Sequence, residues 1–282
     1  MTLLYVHGGV SGVERERPSL AEAIVVGGTA ARAIDAVERA IVVMEDDPAL
    51  NAGYGSVLNR DGYVELDAGL ADGATGRYGA VGATTVANPI SLARRVLEDT
   101  PHVFLVGPGA DAFGHDMRKI PGSTQAQRNR WEDARASGRL NLENFAAPEH
   151  VDTVGAIALD DEGCLVAGSS TGGVFGQLPG RVGDAPVFGA GIYASPAAAV
   201  VGTGVGELFL QTIASARVGR LIEDGTEPQR ACEEVIRDLG TTDRLSAGLL
   251  ALDRAGRVGA VCRAGSWAVE GPEGPITPVF VA

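Results

Sequence analysis

The chain predicts an α+β fold, a four-layer αββα sandwich in which two sheets pack face to face with helices outside. Two observations carry that reading. Short apolar runs bounded by Gly or Asp-Gly turns alternate with stretches of helical repeat, in the order strand, helices, strands, helix, strands, helices, strands. Gly is abundant at 40 residues and aromatics are sparse at 5%, a balance that suits close backbone packing more than a large aromatic core. With 282 residues and 45% hydrophobic content the chain can bury a sizeable core. No repeat of fixed period is present, and residues 1–282 read as a single domain.

Each element has its own signal. "TLLYVHGG" is an apolar run ended by a Gly pair, as expected of a strand buried on both faces. In the stretch 19–50 that follows, Ile34, Val37, Ile41 and Met44 share one helical face, with Asp35, Glu38 and Arg39 opposite. Gly27-Gly28 predicts a break into two helices, with Thr29 as the second N-cap. Residues 51–89 alternate in short pieces broken by Asp-Gly and Gly, the mark of hairpins. "SLARRVLEDT" reads as a helix, "HVFLVGPGA" as a strand and turn, and "GADAFGHDM" as the start of a short helix. Residues 117–150 are polar and charged with little periodicity, which predicts an exposed, mobile linker. "TVGAIALDDEGCLVAGSST" then reads as two strands around the turn 161–163. "GELFLQTIASARVGRLIEDG" is one helix, "EPQRACEEVIRDLG" a second ended by Gly240, and "AGLLALDRAGRVGAVCRAGSWAVEG" two or more strands.

Composition narrows the function. A net charge of −13 argues against nucleic acid or an anionic membrane as partner. No apolar run approaches the ~18 residues of a membrane span, and the N-terminus lacks the basic and apolar regions of a signal peptide. Cys164, Cys232 and Cys262 are far apart and odd in number, so they read as buried core residues in a reducing cytoplasm. His7, His102, His115 and His150 share no ligand spacing and read as structural or surface residues.

Four polar features remain. Asp152-Thr153 precedes an apolar strand; it is either a polar lead-in or a bond meant to be cut, leaving threonine as a new N-terminus. "SSTGG" (169–173) sets hydroxyls on a Gly turn, which alone is an ordinary Ser/Thr turn. "LPGRVGDAP" (178–186) holds Arg181 and Asp184 in a Gly/Pro loop, either a surface salt bridge or a match for a zwitterion, guanidinium to α-carboxylate and carboxylate to α-ammonium. "VGTGVGELF" (201–209) runs a Gly-rich turn into a helix and can face an anion or a developing oxyanion. It is not a dinucleotide or phosphate loop, because Glu207 stands where the third glycine should be and no Lys-Ser or Lys-Thr follows.

With "HGG" (7–9), "NAGYGSVLNRDGYVELDA" (51–68), "DTVGAIALD" (152–160), "STGG" (170–173), "LPGRVGDAP" and "GTGVGE" (202–207) in one order, the chain resembles the N-terminal-nucleophile family of plant-type asparaginases and isoaspartyl peptidases. Glycosylasparaginase and taspase are relatives of that family. The resemblance implies the N-terminal-nucleophile version of the sandwich and a precursor that cuts itself between Asp152 and Thr153 into an α chain, 1–152, and a β chain, 153–282. It implies that Thr153 is the nucleophile, with its freed α-amine as base, and that Thr171 orients it. Thr203 and the Gly204 N–H would form the oxyanion hole, and Asn51 would help position Thr153. Arg181 would hold the substrate α-carboxylate, and Asp184 with the Gly206 backbone its α-amino group. Loop 44–54 is similar to one that wraps a sodium ion in main-chain carbonyls, and no cofactor is required for the chemistry. The implied assembly is a dimer of αβ heterodimers.

Asp before the nucleophile matches the glycosylasparaginase and taspase junctions, where asparaginases of the family carry Gly. "GTGVGE" and "LPGRVGD" lean to the asparaginase branch, and "VCRAGSW" (261–267) departs from the polar stretch of that branch. The activity expected is hydrolysis of L-asparagine and β-aspartyl dipeptides to L-aspartate. The alternatives are a glycosylasparaginase-like amidase, which requires a secretory or lysosomal route, and a non-catalytic amino-acid-binding protein on the same scaffold.

Overall fold

The computed structural model describes residues 2–10, 13–140, 153–239, 246–263 and 265–281. The protein is α+β. One sheet of eight strands runs in the order β12 (Gly274–Ile276), β11 (Val269–Gly271), β1 (Leu3–His7), β5 (Val154–Leu159), β6 (Leu165–Thr171), β2 (Leu66–Asp72), β3 (Arg77–Thr84), β4 (Phe104–Val106). A second sheet of five runs β13 (Val279–Phe280), β10 (Val258–Arg263), β9 (Ala247–Asp253), β8 (Ala198–Gly204), β7 (Ile192–Ala194).

Strand alternation sorts the apolar side chains into separate cores. Val154, Ala156 and Ala158 of β5 point into one core with Leu4 and Val6 of β1, beneath helices α1 (Val13–Gly28), α2 (Ala33–Asp46) and α3 (Pro89–Asp99). Ile157 and Leu159 of the same strand point the other way, into a core shared with Ala199, Val201, Leu250, Leu252 and Cys262 of the second sheet. Val200, Leu249, Ala251 and Val261 face a third core, closed by α7 (Ala214–Glu223) and α8 (Pro228–Asp238). The central strands read as unbroken apolar runs because both of their faces are buried.

Four local readings are corrected. Helix α2 begins at Ala33 with Arg32 as a cap that makes no side-chain bond. Thr29 instead donates to Val26 O at 2.7 Å, closing the end of α1. The first amide of α2 is taken by a residue far along the chain: Asp160 Oδ2 accepts Ala33 N at 3.0 Å. The stretch 206–223 is two helices, α6 (Gly206–Thr212) and α7, broken at Ile213, whose φ of 52° is left-handed. Only the second half of 51–89 is a hairpin, β2 with β3; Gly53–Gly55 forms a single 3-10 turn. Cys232 and Cys262 are core residues, but Cys164 is half-buried on a turn.

Helix α4 (Gly107–Phe113) follows β4 directly. The polar segment read as lacking periodicity contains α5 (Gln125–Ala136), capped by the Thr124 hydroxyl, which accepts Gln127 N at 3.2 Å. Trp131 Nε1 donates to Asn59 O at 3.0 Å, and Arg130 lies 4.2 Å over the Phe175 ring. Residues 141–152 and Gly240 lie outside the described residues.

Candidate active site

Thr153, 5% exposed, stands one residue ahead of β5. The β5–β6 register pairs Val154 with Ser170, so the next step sets Thr153 opposite Thr171. Thr171 in turn pairs with Asp67 on β2. A row Thr153, Thr171, Asp67 thus crosses three adjacent strands at one end of the sheet. Thr171 Oγ1 accepts Gly173 N at 3.0 Å, and Asn51 holds the same turn: its Nδ2 donates to Gly173 O at 2.8 Å and its O accepts Gly172 N at 2.9 Å. Asn51 Oδ1 accepts Val57 N at 3.0 Å, which ties the segment 51–57 to the turn.

His7 is structural, but it is nowhere near the surface. It is fully buried, pairs with Gly155 across β1–β5, and its Nδ1 lies 2.9 Å from Gly8 O. Burial pushes its pKa down to about 4 against the opposing bonds to the Gly8 and Thr153 backbone, so the ring is neutral at pH 7. Trp267 packs on it at 5.4 Å between ring centres and donates to Gly8 O at 3.1 Å. The indole also covers Gly248, the residue paired with Thr203.

Thr203 and Gly204 end β8, which packs on β5 and β6 from the second sheet. Thr203 is fully buried and its hydroxyl has no hydrogen-bond partner among the described residues. Gly204 has a φ of 127°, and a Cβ there would sit 2.1 Å from Ser246 O, so only glycine lets the chain turn here into α6.

Arg181 and Asp184 meet over Gly206, where a Cβ would lie 2.6 Å from Asp184 Oδ1 and 2.9 Å from Arg181 Nη2. Glu207 takes the Nε–Nη2 edge of the guanidinium, at 3.1 Å to Nε and 3.0 Å to Nη2, which fixes the plane of the fork. Asp184 is 4% exposed, and its Oδ2 is a buried acceptor with no partner among the described residues. Burial raises its pKa to about 7, with Arg181 opposing and Glu207 and Asp67 adding to the rise. The Asp184 Oδ2 acceptor and the Thr203 hydroxyl are thus two of the buried polar atoms left without a partner among the described residues.

The sequence profile of the asparaginase family matches residues 6–270, nearly the whole chain. The chain belongs to the asparaginase family. It is 37% identical to the isoaspartyl peptidase of Escherichia coli K12, over 91% of this chain and 88% of that protein. It is 38% identical to the plant-type L-asparaginase of Pyrococcus abyssi, over 92% of each. The isoaspartyl peptidase/L-asparaginase of Mus musculus is 37% identical over 90% of this chain and 82% of its own.

Of the residues expected from the family resemblance, the structure gathers Thr171 and Asn51 around one turn beside Thr153. It gathers Arg181, Asp184 and Gly206 at a second point, continuous with Thr203 and Gly204 through the start of α6. Asp152 lies outside the described residues. In loop 44–54 the carbonyls of Glu45, Pro48 and Leu50 turn in on Gly53 and Gly55, at 2.1–2.8 Å from where Cβ atoms would be. Among the described residues no group of three or more His, Cys, Asp or Glu side chains could hold a metal ion, so a cation at this loop would rest on carbonyl oxygens.

Sequence reading missed Glu65, Asp67 and Trp267 as neighbours of the site, and it read Glu207 as the residue that breaks a dinucleotide motif and marks the asparaginase branch, without its bond to Arg181. A signal existed for two of them: an acid at 65 and another at 67 flank a buried leucine in an extended stretch, where a solvated strand would put such acids on its outer face. No helix of the described residues is long and apolar enough to cross a membrane.

Proposed function

We propose that this chain is a threonine hydrolase that cuts itself between Asp152 and Thr153 and then releases L-aspartate from L-asparagine and β-aspartyl dipeptides. The observation that carries the reading is the pair of buried, unpartnered polar atoms beside Arg181 and the threonine row. A buried acceptor without a donor calls for a ligand donor, and the substrate's α-ammonium supplies one to Asp184. A buried hydroxyl without an acceptor is what an oxyanion hole requires before the oxyanion forms. The family's relatives named isoaspartyl peptidase and L-asparaginase support the substrate class.

In the intact chain the Thr153 hydroxyl adds to the Asp152 carbonyl carbon, the peptide C–N bond breaks with transfer of a proton to nitrogen, and water hydrolyses the resulting ester. Thr153 then carries a free α-amine, whose ordinary pKa of ~7.7–8.0 leaves a substantial neutral fraction at pH 7 to act as base. Arg181 binds the substrate α-carboxylate, while Asp184 and the Gly206 backbone bind the α-ammonium. The amine takes the Thr153 hydroxyl proton as Oγ adds to the side-chain carbonyl carbon. Thr203 Oγ1 and the Gly204 N–H stabilise the oxyanion. The C–N bond breaks, the proton passes to the leaving nitrogen, and ammonia or the second amino acid departs. Water, deprotonated by the same amine, hydrolyses the aspartyl ester, releasing L-aspartate and restoring the hydroxyl. Thr171 and Asn51 orient Thr153.

Three separate cores, helix on sheet, sheet on sheet and sheet on helix, support the four-layer αββα arrangement of the N-terminal-nucleophile type. A sodium ion on the carbonyls of loop 44–54 would stiffen the segment that carries Asn51 and takes no part in the chemistry. A dimer of αβ heterodimers and cytoplasmic residence belong to the same reading; three free cysteines suit a reducing compartment.

Intact mass spectrometry of the purified protein, beside a Thr153→Ala control, tests the proposal. Fragments 1–152 and 153–282, absent from the control, with ammonia released from L-asparagine by the cut form alone, are the expected result. A chain that stays whole on long incubation and yet binds L-aspartate would instead make it a binding protein on the same scaffold.

A further inference from the structure

Two carboxylates ahead of the cut grip the clamp loop behind it. Glu65 accepts Gly180 N through both oxygens, at 2.9 and 3.1 Å, and Asp67 Oδ2 accepts Gly183 N at 3.0 Å. The two amides bracket Arg181. Glu65 and Asp67 lie two apart in an extended stretch, so they project on the same side of it. Each is braced in turn: Asn59 Nδ2 donates to Glu65 Oε2 at 2.9 Å, and Asp67 Oδ1 accepts Ala83 N at 2.8 Å.

The Ala83 bond marks a built feature. The β2–β3 register shifts between Leu66 and Ala68, opposite Gly82 and Ala83, and Ala83 is held at a φ of 48°, a left-handed conformation an alanine adopts only under constraint. The bulge turns the Ala83 amide onto Asp67 and sets Gly82 beneath Val182, the residue after Arg181. Asp67 itself is 1% exposed and pairs with Thr171. It spans the threonine row and the clamp. Further along, Gly176 N donates to Leu58 O at 2.9 Å and Arg60 N to Gln177 O at 2.8 Å, so the backbone from 58 to 67 is a continuous seat for the loop.

We infer that Glu65 and Asp67 are positioning residues for substrate recognition: they set the distance between Arg181 and the nucleophile row, so that the half of the chain before Asp152 fixes the fit of the substrate's α-carboxylate. This rests on the proposed hydrolase reading. Burial raises the Asp67 pKa to about 6 against the pull of its two amides and Arg181, which shows how far the carboxylate is removed from water. An amide at this position offers one acceptor and one donor to two N–H groups, so one contact must break.

The test is Asp67→Asn and Glu65→Gln in the full-length, self-cleaved protein. Steady-state kinetics are run on L-asparagine and on its α-carboxamide analogue, which lacks the α-carboxylate, and L-aspartate binding is followed by calorimetry. For Asp67→Asn the expected result is a KM for L-asparagine raised about 10-fold with kcat within about 3-fold of the unaltered protein, the loss of one hydrogen bond to a charged group read through binding alone. L-aspartate binding weakens in parallel, and the analogue's kcat/KM is unmoved. Glu65→Gln, half-buried and with one oxygen still able to accept Gly180 N, shows the same pattern more weakly; it carries the test if the Asp67 variant does not fold. An unaltered KM, or equal losses on both substrates, overturns the inference while leaving the hydrolase reading intact. An unaltered protein that neither turns over L-asparagine nor binds L-aspartate overturns both.

Discussion

Around Arg181 the pocket is charged and tied. The guanidinium has two bonds to Glu207 and one to Gln177, and the loop that carries it has its backbone amides on Glu65 and Asp67. Around Thr153 it is neutral: Thr171, Thr203 and Asn51 are set by strand register and one turn, beside a neutral His7. The contrast separates two tasks. A fixed charge must be held against solvent and against its neighbours, which takes ion pairs and long-range braces. A hydroxyl needs only to be in place, and two strands in register supply that. Damage to the tied side should therefore surface in KM, and damage to the neutral side in kcat.

Thr203→Ala gives the largest effect. It deletes the unpartnered buried hydroxyl, and loss of one oxyanion donor costs about 10²–10³-fold in kcat. KM for L-asparagine should stay within about 3-fold, since the hydroxyl contributes in the transition state alone. Single-turnover and steady-state assays on the purified protein check this. A KM that rises with an unchanged kcat would put Thr203 on the recognition side and break the contrast.

The pH dependence is smaller and belongs to the tied side. Burial holds the Asp184 pKa near 7, above the ordinary carboxylate range. Folding thus favours its protonated form: the stability it contributes is full below that ordinary range and is lost as pH rises through about 7. Affinity runs the other way, because only the carboxylate attracts an α-ammonium. KM for L-asparagine should fall several-fold between pH 6 and 8 while thermal stability declines, and Asp184→Asn should abolish the slope in KM. A KM flat across that range would mean either that Asp184 keeps its charge throughout or that the ammonium is held elsewhere.

What was legible in the chain follows the same division. Apolar runs bounded by turns identify β1, β5, β6, β9 and β10, so Thr153 and Thr171 could be read locally, whereas β8, which carries Thr203, was visible only as the Gly-rich turn at its end. The braces of the tied side could not be read locally, because Glu65 and Asp67 meet their partners 115 and 116 residues away. Helix α5 was missed for a related reason. A helical stripe is visible only when a whole face is buried, and α5 packs on Val57 and Phe175 with little more than Trp131 and Ala134. The start of α2 is not legible locally because its cap is not local: neighbouring residues favour Thr29, but Asp160 does the capping from 127 residues away.

That last residue offers the smallest effect and the cleanest control. Asp160 joins the chain before Asp152 to the chain after it, as Asp67 does, with Oδ2 on Ala33 N and Oδ1 on Glu162 N and Cys164 N. It lies at the other end of β5 from Thr153, away from clamp and nucleophile alike. Asp160→Ala uncaps α2 and loosens the β5–β6 turn, which costs about 1–2 kcal/mol, the loss of a cap and a buried acceptor. Thermal unfolding should shift down by a few degrees while kcat and KM stay at their unaltered values. If KM moved as well, bracing between the halves would act on the clamp wherever it is broken, and the placement of Glu65 and Asp67 beside Arg181 would lose its significance. If KM holds, it is position at the loop, and not attachment in general, that sets recognition.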